Sequence, residues 1–408
     1  MSKAYIARQM IVDGNQNIFA YDLAFRQNTI NRAVFENADN ASAAVLAAAV
    51  SDFGVKTLLG EKIGFVTLTP PMLYEEGLGA IPAKHFVLKL PLSKLTPQSA
   101  EPIEQLKTEG FEFAFSGTAA EFAAADAVLL SKARWLKLDI SGLTKEQLTQ
   151  FAAAQKGRLD RWIAQKVENY DQYALCKKLG FGGFQGYFFA KPAVMKGKKL
   201  SPSKLTVLQL VEELSGGKEV MEAKKVFDQN PELTLNLLRY LSSSYFSTRN
   251  PIKTIPQALS FLGRAGLMQW LMLQLYGAGK EDGRRSTLAE MAMLRARIMY
   301  EMAHKLGRKE LAESAFMTGM ISLLGPLFEM PNEEILSDII LDDVIKEAVL
   351  TQKGPLGTLL AIAVRIENGQ FAPLEAWLKK MNKSVELLSI VLAESYAWVA
   401  QTQEAQAA

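Results

Sequence analysis

Histidine is nearly missing. Only His85 and His304 occur in 408 residues, so any mechanism built on a histidine cluster is excluded by counting. His85, ahead of the apolar run FVLKL, reads as a structural residue. Cysteine is scarcer still. The lone Cys176 excludes an internal disulfide framework and a cysteine-built zinc site, and it fits a reducing compartment. Charge of one sign is also lacking. With 46 Lys and Arg against 43 Asp and Glu, the net charge is +3, which gives no case for nucleic acid as a partner. No uninterrupted run of about 18 apolar residues appears, so no membrane partner is expected. The best stretch, Leu267–Leu275, is short and contains Gln269 and Gln274. The opening MSKAYIARQMIVDG lacks the basic, apolar and small-residue parts of a secretory signal, and we expect a cytoplasmic protein.

What remains is ordinary globular material, 49% apolar and 22% charged, in a length that allows two or three domains. The two halves have different periods. In the first, short β-rich runs occur at Tyr5–Val12, Ile18–Phe25, Ile63–Leu68, Phe86–Leu90, Phe111–Phe115, Trp135–Ile140, Trp162–Val167 and Gly183–Phe188. Asp13-Gly14-Asn15 is a turn between the first two. Helical stretches lie between others, at Ala41–Phe53, Thr118–Lys132 and Lys145–Ala154. Six of the runs start at intervals of about 21–27 residues, the length of a βα unit. Eight strands in under 200 residues predict a small (β/α)8 barrel of the TIM type. The alternative is a doubly wound open sheet, although no G-x-G-x-x-G follows the first strand.

After Lys191-Pro192 the strand signal stops. Met195–Lys204 is basic and carries Pro and Ser, as a linker does. From Leu205 on, an all-α domain is predicted. Asn230-Pro231 supplies an N-cap and an N1 proline ahead of Leu233, Leu237, Leu238 and Leu241 on one face. Leu288, Met291, Ala292, Arg295, Met299, Met302 and Leu306 form a second stripe, which only Arg295 breaks, and Gly307 suits a C′ position. Ser384 suits an N-cap for a last helix, and the QTQEAQAA tail should fray. Nine of the fifteen methionines fall between Met268 and Met330, as core filler or as an adaptable binding groove. The expected division is a barrel over 1–195, a linker over 196–204, a helical domain over 205–400 and a tail over 401–408.

The opening YIARQMIVDGNQNIFAYDLAFR resembles the start of EAL-domain cyclic di-GMP phosphodiesterases, above all those fused to an HDOD domain. The likeness continues in order through FVTLTP, FVLKLP, FEFAFSG, WLKLDIS, IAQKVEN and QGYFFAKP, over about residues 3–192. In the second half, DQNPELTLNLLRYLSSSYF and IKTIPQALSFLGRAGL are similar to HDOD segments. AFMTGMISLLG resembles the place where catalytic HD phosphohydrolases carry His and Asp, and Ser322 and Leu323 stand there instead.

An active EAL site holds Mg²⁺ or Mn²⁺ on oxygen ligands and activates a water. The resemblance implies that this site is degenerate. Its opening glutamate appears as Asp22, its asparagine as Thr67, its third-motif glutamate as Lys89, its paired aspartates as Ser116 and Gly117, and its proposed base as Gln165. No bound metal or cofactor is therefore expected. Asp22, Arg26, Lys137, Asp139, Glu168 and Gln185 remain. They are either retained for packing within the barrel or kept as residual ligand contacts, Arg26 at the phosphate. The resulting expectation is a non-catalytic signalling protein acting on unidentified protein partners. The alternatives are a metal-independent cyclic di-GMP receptor and a weak phosphodiesterase.

Overall fold

The computed structural model describes residues 4–27, 50, 54–155, 159–190, 202–243, 246, 252–276, 283–337, 339 and 341–407. Most of the expected helix at Ala41–Phe53 and of the Met195–Lys204 linker lies outside them.

Eight strands close into a barrel in chain order: β1 Ala4–Val12, β2 Ile18–Gln27, β3 Ile63–Thr67, β4 Phe86–Pro91, β5 Glu112–Gly117, β6 Trp135–Asp139, β7 Trp162–Gln165 and β8 Gly183–Gln185. All neighbours run parallel except β1, which is antiparallel to both β2 and β8. Closure rules out the open doubly wound sheet. The hairpin between β1 and β2 is set by Asp13, whose carboxylate accepts from the backbone N–H of Asn15 at 2.8 Å and of Asn17 at 2.9 Å.

Outside the barrel, aromatic residues seat the helices. Trp162 on β7 meets Phe122 and Phe151 edge-on, with ring centroids 4.5 and 4.9 Å away. Each such pair adds about 0.5–1.5 kcal/mol beyond its buried area. Tyr173, from the helix Tyr170–Leu179, stacks on Phe188 at 4.6 Å and donates its hydroxyl to the Gly14 carbonyl at 2.8 Å. The stretch Thr118–Lys132 forms two short helices, Ala119–Ala124 and Ala127–Ser131. Asp126 starts the second by accepting from the Val128 N–H.

The chain divides into two compact units. One is residues 1–191 with 366–392, and the other is residues 192–365 with 393–408. All regular structure described in the second is helical. Its first helix starts at Pro202, inside the expected linker. Pro231 opens its helix as predicted, but the Asn230 side chain does not cap it and instead donates back to the Val226 carbonyl. Gly307 takes φ 81° after the helix Gly283–Lys305, as the C′ position requires. Ser384 accepts from the Glu386 N–H at the start of the helix Glu386–Ala407.

That last helix corrects the expectation of a frayed tail. Thr402 and Ala405 are buried, and Gln403 donates to Glu290. Eight of the nine methionines between Met268 and Met330 are buried, as core filler would be. Met272, Met299, Met302 and Met320 are fully buried. Among the described residues, the stretch with the length and composition of a membrane span is Lys309–Phe328 rather than Leu267–Leu275, and 78% of its most apolar window is buried inside the protein.

Candidate functional site in the barrel mouth

Strand alternation builds the site. One inward layer is apolar: Ile11, Ala20, Phe65, Val87, Ala114 and Ile163 form a continuous buried cluster, with Phe19, Ile63 and Trp135 against it. Because side chains repeat every second residue, the next inward position on each strand follows. Those residues are Gln9, Asp22, Thr67, Lys89, Ser116 and Gln165, joined by Lys137 two beyond Trp135 and Gln185 two beyond Gly183. The apolar layer is thus the floor of a polar one at the C-terminal ends of the parallel strands. Strand register sets Thr67 beside Lys89, Ser116 beside Lys137, and Gln165 beside both Asp139 and Gln185.

Asp22 is the centre of this layer. Lys89 Nζ lies 2.6 Å from its Oδ1 and 2.7 Å from its Oδ2, and Lys137 Nζ lies 2.5 Å from Oδ2. Lys137 is fully buried and sits 5.0 Å from the centroid of the Phe65 ring. Burial alone would raise the Asp22 pKa, but the two ammonium groups overcome it and hold the carboxyl well below the usual range. Lys137 moves down as well, to about 7, because burial and the Lys89 charge outweigh its attraction to Asp22.

Asp139 is half-buried at the end of β6 and is also engaged. Its Oδ2 is 2.6 Å from Lys166 Nζ, and its Oδ1 accepts from the Ser141 N–H and hydroxyl. Burial works against ionisation there, and these bonds still hold the pKa down. Lys166 takes a left-handed φ of 59°, an uncommon conformation for a side-chain-bearing residue. Beside Gly117, Glu121 folds back to accept from the Thr118 N–H, and a side chain built on Gly117 would come within 2.9 Å of its Oε2. Thr67 and Glu168 are exposed. Arg26 lies on β2 in register with Tyr5, and its side chain is outside the described residues.

A chain of amides crosses the β7–β8–β1 side. Gln165 Nε2 donates to Gln185 Oε1 at 3.5 Å, Gln185 Nε2 to Gln9 Oε1 at 2.7 Å, and Gln9 Nε2 to the Glu367 carbonyl at 3.3 Å. Gln9 and Lys166 escaped the sequence reading. The period-two pattern could have found Gln9, two positions from Ile11 on the strand facing Asp22. Nothing local marked Glu367.

In the helical unit, Ser322 and Leu323 follow the helix Ala312–Ile321. That helix packs on Gly283–Lys305 so closely that a Cβ on Gly319 would lie 2.4 Å from Ala296 Cα. The crossing brings Arg295 Nη1 within 2.8 Å of Ser322 Oγ, which in turn donates to the Gly319 carbonyl. Arg295 and Leu323 are buried. The break in the apolar stripe therefore marked a buried polar contact.

Residues 206–335 match the family described as the HDOD domain. The chain is 25% identical over 405 residues to a Vibrio cholerae protein named cyclic di-GMP phosphodiesterase CdgJ, covering 98% of this chain and 93% of that one. It is 26% identical over 379 residues to the uncharacterized protein YuxH of Bacillus subtilis, covering 90% and 92%. Among solved structures it is similar to the FimX EAL domain from Pseudomonas aeruginosa bound to c-di-GMP, with a TM-score of 0.36 at 16% identity over 46% of this chain and 89% of that one. The chain is a closed eight-stranded barrel followed by a helical region that contains a match to the HDOD domain.

Proposed function

We propose that this protein is a non-catalytic member of cyclic di-GMP signalling, in which the barrel is a scaffold and the HDOD domain relays a signal through protein contacts. One observation carries the reading: Lys89 and Lys137 occupy both carboxylate oxygens of Asp22. Hydrolysis of a phosphodiester by a two-metal site needs several oxygen ligands to strip water from a hard cation. Here the remaining inward positions offer Thr67, Ser116 and Gln165, which carry no charge, and Asp139 is paired with Lys166. Among the described residues, no three Asp, Glu, His or Cys come together as a metal site would need. The donor set among the described residues does not fit a divalent cation. At the HD position, Leu323 is apolar and Ser322 accepts from Arg295, which likewise supports a domain without hydrolytic chemistry.

A second reading has a specific observation in its favour. Three lysines, Lys89, Lys137 and Lys166, face two carboxylates in the mouth, and that excess of positive charge suits a phosphate. The barrel would then bind cyclic di-GMP without metal, with Arg26 as a further contact. Calorimetric titration of the full chain with cyclic di-GMP, with and without Mg²⁺, separates the two. No heat supports the scaffold. Metal-independent binding that is lost in Arg26→Ala supports the receptor. Binding that requires Mg²⁺ contradicts both.

A further inference from the structure

Two carboxyl groups meet inside the helical unit. Glu301 belongs to the helix Gly283–Lys305, and Glu394 to the helix Glu386–Ala407. Arg297 and Lys305 stand one turn before and one turn after Glu301 on the same helix. Arg297 pairs with Glu301, and Lys305 Nζ lies 2.7 Å from Glu394 Oε1. Lys305 thus holds Glu394 alongside Glu301, and the two carboxyls share a hydrogen bond.

Packing fixes this array. The Glu301 side chain is 7% exposed and that of Glu394 is 40% exposed. The Arg297 guanidinium lies 4.7 Å from the Tyr300 ring centroid and 5.5 Å from that of Trp398, one turn beyond Glu394. Trp398 also meets Phe316 edge-on at 5.6 Å. Tyr300 and His304 pack ring against ring at 4.6 Å on the helix of Glu301. Burial, and then the charge of Glu313 on the helix Ala312–Ile321, raise the Tyr300 pKa, so its hydroxyl stays protonated where glutamates titrate.

Carboxylate oxygens only accept, so two of them share a hydrogen bond only when one carries a proton. Burial and the bond to Glu394 raise the Glu301 pKa against the pull of Arg297. Burial opposes ionisation of Glu394 as well, but Lys305 and the bond from Glu301 hold its pKa down. The proton therefore resides on Glu301.

We propose that Glu301 and Glu394 form a shared-proton clasp that holds residues 393–407 of the last helix on the helical unit and weakens when the proton leaves. Loss of the proton puts two like charges in contact, one of them buried. The folded chain keeps a proton on Glu301 that the unfolded chain has released, so the clasp's contribution falls as pH rises from the ordinary glutamate value through the raised one. The last helix lies outside residues 206–335 matched to HDOD, and it begins in the barrel unit and ends in the helical one. The clasp makes the hold on that helix sensitive to acidity.

Carbon-13 titration of glutamate carboxyls in the full chain tests it. One carboxyl should titrate above the ordinary range, and its signal should be missing in Glu301→Gln. In Glu394→Gln the like charge is gone and an amide donates to Glu301, so that midpoint should fall to the ordinary range or below. A midpoint that Glu394→Gln leaves in place assigns the shift to burial and overturns the clasp, as does the lack of any raised midpoint. In parallel, hydrogen-exchange protection of peptides covering 393–407, corrected for the intrinsic rate at each pH, should drop about tenfold as pH rises through the midpoint, the loss expected of roughly one hydrogen bond. Glu301→Gln can donate at every pH and should abolish the step. Unchanged protection across the midpoint in the unmodified protein contradicts the clasp. If Glu301→Gln fails to fold, Glu394→Gln decides, because midpoint and step must move together.

Discussion

Lys137 Nζ and Asp22 Oδ2 meet at 2.5 Å, with the lysine side chain wholly buried and the aspartate nearly so. Without Asp22, the buried Lys137 ammonium would lose its carboxylate partner away from water, whereas Asp22 without Lys137 keeps Lys89. Asp22→Asn strands both Lys89 and Lys137. It should cost roughly 3–5 kcal/mol, the loss typical of breaking a buried pair from one side. Lys137→Met, which leaves Asp22 with Lys89 and an apolar chain over Phe65, should cost less. Urea denaturation of the three proteins gives the order. Equal stability of Asp22→Asn and the unmodified chain would contradict the arrangement.

The same cluster makes stability depend on pH in two windows. Lys137 falls from the ordinary 10.5 to about 7 on folding. Between those values the unfolded chain binds the extra proton, so this group makes stability rise with pH from about 7 towards 10.5. Asp22 has its pKa lowered on folding. Its contribution is present above the ordinary carboxylate value and is lost as pH falls through the folded value. Stability measured against pH for the unmodified protein and Lys137→Met should differ by the alkaline rise. Parallel curves over that window would refute the assignment.

Metal offers a separate check. A ligand that binds only the folded state raises its melting temperature by mass action. Because Asp22 already satisfies two ammonium groups, saturating Mg²⁺ or Mn²⁺ should leave the melting temperature unchanged, and a chelator should do the same. Gln165→Glu adds a single carboxylate, too few ligands to hold a hard cation, so it should add neither a metal-dependent shift nor turnover. A clear rise with Mn²⁺ in the unmodified protein would show a metal site.

Arg295 and Ser322 form the corresponding contact in the helical unit, at 2.8 Å. Ser322→Ala removes an acceptor from a buried guanidinium and should cost about 1–3 kcal/mol. Combined with Arg295→Met in a double-mutant cycle, the two should couple by roughly 0.5–3 kcal/mol. Additive losses would mean that the contact contributes nothing.

The barrel was legible because its signal is local. Period-two runs, six of them at βα spacing, located all eight strands, and stepping two residues from a core position, as from Ala20 to Asp22 or Val87 to Lys89, reaches the polar layer. The partners within that layer were harder to see. Lys89 was readable as a foreign charge in the site, but its bonds to Asp22 span 67 residues. The Gln9–Glu367 contact spans 358, with no pattern at either end to announce it. The tail misled for a related reason. QTQEAQAA is polar and frays by composition, yet Gln403 has a distant partner in Glu290. Arg295 is the instructive middle case, since the interruption of an apolar stripe was visible while the hydroxyl that explains it was not.

The proposed function rests on Lys89 and Lys137 engaging Asp22 where a two-metal site would need free carboxylates. Incubating the purified full-length protein with cyclic di-GMP across a range of Mg²⁺ and Mn²⁺ concentrations, with chromatographic detection of the linear dinucleotide, tests it most directly. Product should be indistinguishable from the protein-free control at every concentration. Linear dinucleotide formed by the unmodified protein, and lost in Asp22→Asn or Lys137→Met variants that remain folded, would contradict it.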